Sequence, residues 1–250
     1  MAEQTGKIKF IGKIGEVVGY RSNGKMKLKK ANEINLEALK KGANYENFRR
    51  CQSEFKTASK WCQALRKAAQ RTLFNCCAQN KIRTLTIAFL KNIHSDQQNE
   101  WGKRQLQTQN ISEQLENFNF GDFNTFEHCF KGRIDLETDT NTFKIAAHKS
   151  NEIKAPNGAT HYTFAACIVI KSKQNHHFEI EEQREAIGKN SLQSDLTNEI
   201  TLSINAPFTG IGTMKIYIIA IHFWHQKNGK WHPTENGRKN AAKIIKVING

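Results

Sequence analysis

The strongest periodicity in the chain lies between residues 48 and 93. Phe48, Cys51, Phe55, Ala58, Cys62, Leu65 and Ala69 follow one another at steps of three or four, a spacing that puts all seven on one face of a helix. Arg49, Arg50, Lys56, Lys60, Lys67 and Arg71 fall elsewhere around it. A second helix is predicted from Lys81 to about Gln97, where Ile82, Leu85, Phe89 and Ile93 form the stripe and Ile87 and Leu90 widen it. The two predict a helical hairpin. A third, more polar helix is expected from about Gln98 to Leu115, weakened by Gly102, and a short helical pattern from Leu36 stops at Gly42.

Both ends of the chain follow a period of two instead. Near the N-terminus, Lys7 to Ile11, Gly15 to Arg21 and Lys25 to Lys30 read as short strands. Ser22-Asn23-Gly24 joins the last two, and Asn-Gly suits a tight hairpin because both central residues need positive φ. Beyond Phe118, β-type runs recur at Phe130 to Leu136, Thr142 to His148, Tyr162 to Lys171, His177 to Glu182, Glu199 to Ala206, Met214 to Trp224 and Ala242 to Ile248. Asn157-Gly158, Asn228-Gly229 and Asn236-Gly237 mark turns, and Pro207 ends one run. Ile200, Leu202, Ile204 and Ala206 alternate with Glu199, Thr201, Ser203 and Asn205, as in a strand with one wet face.

Phe164 to Ile170 and Ile216 to Ile221 are apolar on both faces. Such strands belong in the middle of an assembly, and the amphipathic helices are the candidate cover for their second side. The expected fold is α+β. An N-terminal β-hairpin and antiparallel helical hairpin (residues 1–116) pack with a C-terminal antiparallel, immunoglobulin-like β-sandwich (residues 117–250).

Charge separates the two regions more sharply than pattern does. The 250 residues carry 38 Lys and Arg against 23 Asp and Glu, a formal net charge of +15. Residues 1–105 hold 22 of the basic and 8 of the acidic side chains, so nearly all the excess lies there. It would attract phosphate, anionic lipid or an acidic protein surface. Arg21, Lys25, Lys27 and Lys29 place it on the hairpin beside Tyr20, and Arg49, Arg50, Lys60, Lys67 and Arg71 continue it through the helices. A charged ribbon or helix can follow a phosphate backbone, and Tyr20 or Trp61 can stack on a base. Lys25, Lys27 and Lys29 share one strand face, for which a solvated surface is the common use.

Other chemistries find little support. His222 and His225 are three apart on a predicted strand and point to opposite faces; His176 and His177 diverge for the same reason. Glu179, Glu181, Glu182 and Glu185 lie in a polar run that reads as a solvated edge. There is no GxSxG, no GxxxxGK[ST] and no CxxC pair. The six cysteines (Cys51, Cys62, Cys76, Cys77, Cys129, Cys167) read as reduced packing thiols, four of them in helices. No run approaches the ~20 apolar residues of a bilayer span, and residues 1–9 lack the apolar core of a signal peptide, which predicts a cytoplasmic protein.

Gly12-Lys13-Ile14-Gly15, Val17-Val18-Gly19-Tyr20 and Gly24-Lys25, followed by a polar helix with Asn47, Phe48, Glu54 and Phe55, resemble the opening of uncharacterised proteins from Bacteroidota. The resemblance covers roughly the first 70 residues and the pattern GxIGxxxxYxxxGK; Lys27 or Lys29 replaces the arginine expected after the turn. It implies a glycine-punctuated hairpin and a β-rich close, and no activity. The expected function is a non-catalytic binding or assembly protein, without cofactor, metal or small-molecule substrate. Its basic part would dock on an acidic protein surface or on nucleic acid, and it could form a homo-oligomer.

Overall fold

The computed structural model describes residues 2–6, 9–31, 36–122, 124–171, 178–185, 188–205 and 214–249. The chain forms two compact units, Met1–Arg49 and Arg50–Gly250.

In the first unit, β1 (Ala2–Glu3), β2 (Gly12–Ile14), β3 (Val17–Ser22) and β4 (Lys25–Lys30) make an antiparallel sheet ordered β1-β4-β3-β2. The expected hairpin is β3–β4, with Asn23 and Gly24 at φ 50° and 77°. The first expected strand differs: Lys9 to Ile11 lie outside any strand, and Lys7 and Ile8 lie outside the described residues. Gln4 supplies the reason. Its side chain donates to the carbonyls of Phe10 (3.1 Å) and Lys27 (3.2 Å) and accepts from the Phe10 N–H (3.0 Å), so a side chain takes the bonds that a strand partner would make. Gly19 permits the crossing, since a Cβ there would lie 2.3 Å from the Phe10 carbonyl oxygen. Helix α1 (Leu36–Lys41) follows and stops at Gly42 as expected.

Helices α2 (Glu46–Ala68), α3 (Gln70–Leu73) and α4 (Gln79–His94) come next. The α2 stripe is buried only in its second half. Ala58, Trp61, Cys62, Leu65, Ala68 and Ala69 are in the core, whereas Phe48, Cys51 and Phe55 are exposed. On α4, Leu85, Phe89 and Ile93 are fully buried, Ile82 and Leu90 partly so, and Ile87 is exposed.

No third long helix forms. Gln98 to Gln107 is a loop, and the expected span holds only a 3-10 turn (Thr108–Asn110) and one α-helical turn, α5 (Ser112–Leu115). Asp96 organises the loop: its carboxylate accepts from the N–H groups of Gln98 (2.9 Å), Asn99 (3.3 Å) and Gln105 (2.8 Å) and from the Asn99 side chain (2.7 Å). Gly102, at φ 91°, fits against Arg50 and donates its N–H to the buried carboxylate of Glu54 at 2.7 Å.

After the single turn α6 (Phe126–Cys129), the chain becomes all-β: β5 (Ile134–Glu137), β6 (Thr142–Ile145), β7 (His161–Lys171), β8 (Phe178–Glu185), β9 (Asn190–Ser191), β10 (Ile200–Ser203), β11 (Met214–Lys227), β12 (Lys230–Pro233) and β13 (Ala241–Asn249). All seven expected runs contain a strand; β9 and β12 were not expected. The end of the Glu199 run at Ala206-Pro207 lies outside the described residues, as do His176 and His177.

One antiparallel sheet runs β10-β6-β5. In the other, β11 pairs with β7 on one side and with β12 and β13 on the other, while β8 and β9 pair with the far side of β7. Among the described residues β8 pairs only with β7, which places the acidic run at an edge of the sheet. The two-sided strands are covered on both faces. Cys167, Val169, Met214, Ile216, Ile218 and Ala220 pack against the helices. Phe164, Ile168, Tyr217, Ile219 and Phe223 pack against Phe143, Ile145, Leu202 and Ile204 of the smaller sheet. Bonds from Asn117 N–H to the Ile244 carbonyl and from Phe120 N–H to the Ala242 carbonyl close the outer edge of β13. Among the described residues, no helix is long and apolar enough to cross a membrane.

Two measurements check this account. Phe89→Ala should cost about 3–5 kcal/mol in chemical denaturation, as a large core truncation does, whereas Phe55→Ala should stay within about 0.5 kcal/mol. Asp96 is held at a pKa of about 2 by the bonds from Gln105 and Asn99, below the unfolded value of about 3.9. Its contribution is complete above that unfolded value and is lost as pH falls towards 2, so Asp96→Asn should flatten the acid limb of the stability curve in that window.

Candidate anion-binding surfaces

The β3–β4 register sorts the hairpin charges by face. Ser22 pairs with Lys25, Tyr20 with Lys27 and Val18 with Lys29, so the three lysines and Tyr20 share one side of the sheet. Lys13, paired with Val18, joins them from β2. Lys29 lies over the Tyr20 ring, with Nζ 5.7 Å from its centroid. Lys13, Lys25 and Lys29 are exposed; Tyr20 and Lys27 are half-buried. Glu3 is the acidic neighbour, 3.4 Å from Lys25, and an exposed pair of this kind is worth little. Arg21 pairs with Met26 and so belongs to the opposite face, the one that Gln4 and Phe10 cross.

The basic residues of the helices do not form one continuous stripe. Arg49 donates to the carbonyls of Leu39 (3.0 Å) and Gly42 (2.9 Å), tying down the end of α1. The Arg50 guanidinium lies 5.6 Å from the Trp101 ring centroid. Arg71 is exposed on α3. Lys60 and Lys67 are exposed two turns apart on α2 and line a groove of about 620 Å³ with Thr57, Trp61, Gln63 and Gln105. Lys171, at the end of β7, holds its ammonium 5.3 Å above Trp61, and burial lowers its pKa. Sequence reading missed Lys171, because only the pairing of β7 within the sheet brings it to α2.

Glu54, absent from the expected set, is almost wholly buried; His94 Nε2 lies 3.2 Å and Arg104 Nε 3.9 Å from its oxygens. Its place on the inner side of α2 makes it a pin for the loop around Gly102. His222 and His225 diverge as expected: His222 Nε2 donates to the Thr72 carbonyl at 2.8 Å, and His225 stacks on His232 at 5.5 Å. Among the described residues, no group of three or more His, Cys, Asp or Glu could hold a metal ion.

A second cavity, of about 430 Å³, is lined by Asn75, Cys77, Asp122, Glu235, Arg238 and Lys239. Its charges are mixed, and burial pushes the Cys77 thiol up to about 11, so it is protonated at neutral pH. Cys76 and Cys77 lie in the link after α3 rather than in a helix; the helical cysteines are Cys51, Cys62 and Cys129. All six thiols are free, and Cys51 is the exposed one. Titration of the native protein with a thiol-specific disulfide reagent should give one fast-reacting group, and Cys51→Ser should remove it. No protein-family model matches the chain, and no curated protein matches its sequence, so the functional reading rests on these surfaces.

Proposed function

We propose that the protein is a non-catalytic binding module that docks through its basic N-terminal region on an anionic polymer, and that this polymer is single-stranded nucleic acid. The observation that carries the reading is the Tyr20 face. Alternate residues of a strand stand about 6.8 Å apart along one face, so Lys25, Lys27 and Lys29 form a row of cations that can follow the phosphates of an extended strand. Tyr20 lies within that row, where a base freed from its duplex can stack. An acidic protein surface would be served by the lysines alone and gives the aromatic ring no role.

The larger unit is read as the scaffold of this module. In strand order, β8-β7-β11-β13 facing β5-β6-β10 matches the C′-C-F-G and A-B-E sheets of an immunoglobulin-like sandwich, which supports that classification. Its helical layer adds Lys60, Lys67 and Lys171 as a second cationic surface for the same polymer. Reduced thiols fit a cytoplasmic setting.

Fluorescence anisotropy over a salt series tests the reading, with labelled single-stranded RNA and DNA, duplexes and poly-glutamate as probes. Tyr20→Ala should weaken single-strand binding about 5- to 150-fold, the range of one base stack, with Tyr20→Phe restoring it. Replacing Lys27 and Lys29 by Ala should lower the salt slope by about 1.4, at roughly 0.7 per phosphate. Equal binding of poly-glutamate and indifference to Tyr20→Ala would transfer the face to an acidic protein. Absence of binding to every probe at low salt would end the proposal.

A further inference from the structure

The far end of the larger sheet carries a cluster that anion binding leaves unused. Asn228-Gly229, at φ 51° and 70°, joins β11 to β12 and sets their register, with Trp224 opposite Pro233 and Gln226 opposite Trp231. Trp224 and Trp231 are therefore diagonal neighbours on one face, about 7–8 Å apart along the backbone, a span that admits one ammonium between two indoles. His161 of β7 pairs with Trp224 from the other side, and its ring meets Trp231 edge-on at 4.7 Å. Phe74 stacks on Trp224 at 5.9 Å and 23°. Three adjacent strands fix the backbone positions of Trp224, Trp231 and His161.

What lies between them is Lys189. Its Nζ is 4.4 Å from the Trp224 centroid and 5.3 Å from that of Trp231. It comes from the link between β8 and β9, next to Gly188 at φ 80°. No ion pair among the described residues involves it. The indole N–H of Trp224 is buried and has no acceptor among the described residues, an orphan donor on the wall of the cluster.

We propose that Trp224, Trp231 and His161 form a recognition cage for a quaternary or methylated ammonium group, closed in the free chain by Lys189 as an internal occupant. The walls belong to the sheet and the occupant is one flexible side chain, so exchange requires only that the Lys189 ammonium swing out from between the indoles. A primary ammonium is compact and strongly hydrated, which makes it a poorer guest for aromatic faces than an ammonium clothed in methyl groups. The cage works on cations and at the opposite pole of chemistry from the lysine surfaces, so it stands whether or not nucleic acid binds.

Isothermal titration calorimetry of the full-length chain tests it, with tetramethylammonium chloride, choline, a trimethyl-lysine peptide and the same peptide with unmodified lysine, against sodium chloride as the ionic-strength control. Lys189→Met keeps the apolar stem and removes the charge, and should bind tetramethylammonium about tenfold more tightly than the parent chain. Adding Trp231→Leu should abolish that binding while leaving the near-ultraviolet circular dichroism of the core aromatics in place, and Trp231→Phe should restore part of it. Choline bound as well as the trimethyl-lysine peptide supports a small-molecule source of the ammonium; a tighter peptide supports a chain-borne one. The idea is overturned if Lys189→Met binds no more tightly than the parent chain, if folded Trp231→Leu binds equally well, or if unmodified lysine binds as tightly as trimethyl-lysine.

Discussion

Eleven register pairs join β7 to β11, from Met214–Lys171 to Trp224–His161, and along most of that length neither face meets water. A strand pair that is apolar on both sides is insoluble by itself and demands two separate covers. The helices supply one and the smaller sheet the other. Each cover is in turn too small to bury its own apolar face alone, so the three layers are stable only together. Polar ties cross between them: His222 reaches the Thr72 carbonyl, and Asn240 bonds to both the Phe223 N–H and the Phe74 carbonyl.

The same logic explains what could be read from sequence. Most patterns that are local and of period two were obeyed, the run ending at Ile11 being the exception: Asn23-Gly24 formed the hairpin, and Leu202 and Ile204 turned inward while Thr201 and Ser203 turned out. The unbroken apolar runs told that β7 and β11 needed two covers. What failed was long-range. A step of three or four marks a face and cannot say whether anything rests on it, so Phe48, Cys51 and Phe55 looked like Leu65 and are exposed. The polar helix expected after Gln98 gave way because Asp96 captures backbone N–H groups up to nine residues away, a competition that propensity does not weigh.

The candidate surfaces were legible to different degrees. Lysines at alternate positions beside Tyr20 announced a shared face, and the register set Arg21 apart from it. Arg49 and Arg50 looked equivalent to Lys60 and Lys67 by charge, yet a guanidinium is a planar multi-donor group, and the fold uses Arg49 for carbonyls and Arg50 for an indole face. Lysine's single ammonium on a flexible stem leaves it the more available cation. The cage around Lys189 was hidden for another reason. Asn228-Gly229 was recognisable as a turn, but β12 has no apolar alternation to mark it, so the register that brings Trp231 beside Trp224 went unseen.

The bond from His222 to Thr72 spans 150 residues of chain. On a ribosome, the helical layer is complete long before the sheet it must cover has been synthesised, and its apolar stripe waits for β11 and β13. Contacts of such separation form late and slowly, and a stripe left bare in the interval invites association with other chains. The order of elements along the chain therefore leaves the helical stripe without its cover until β11 and β13 have been made, and in that interval it is open to association with other chains.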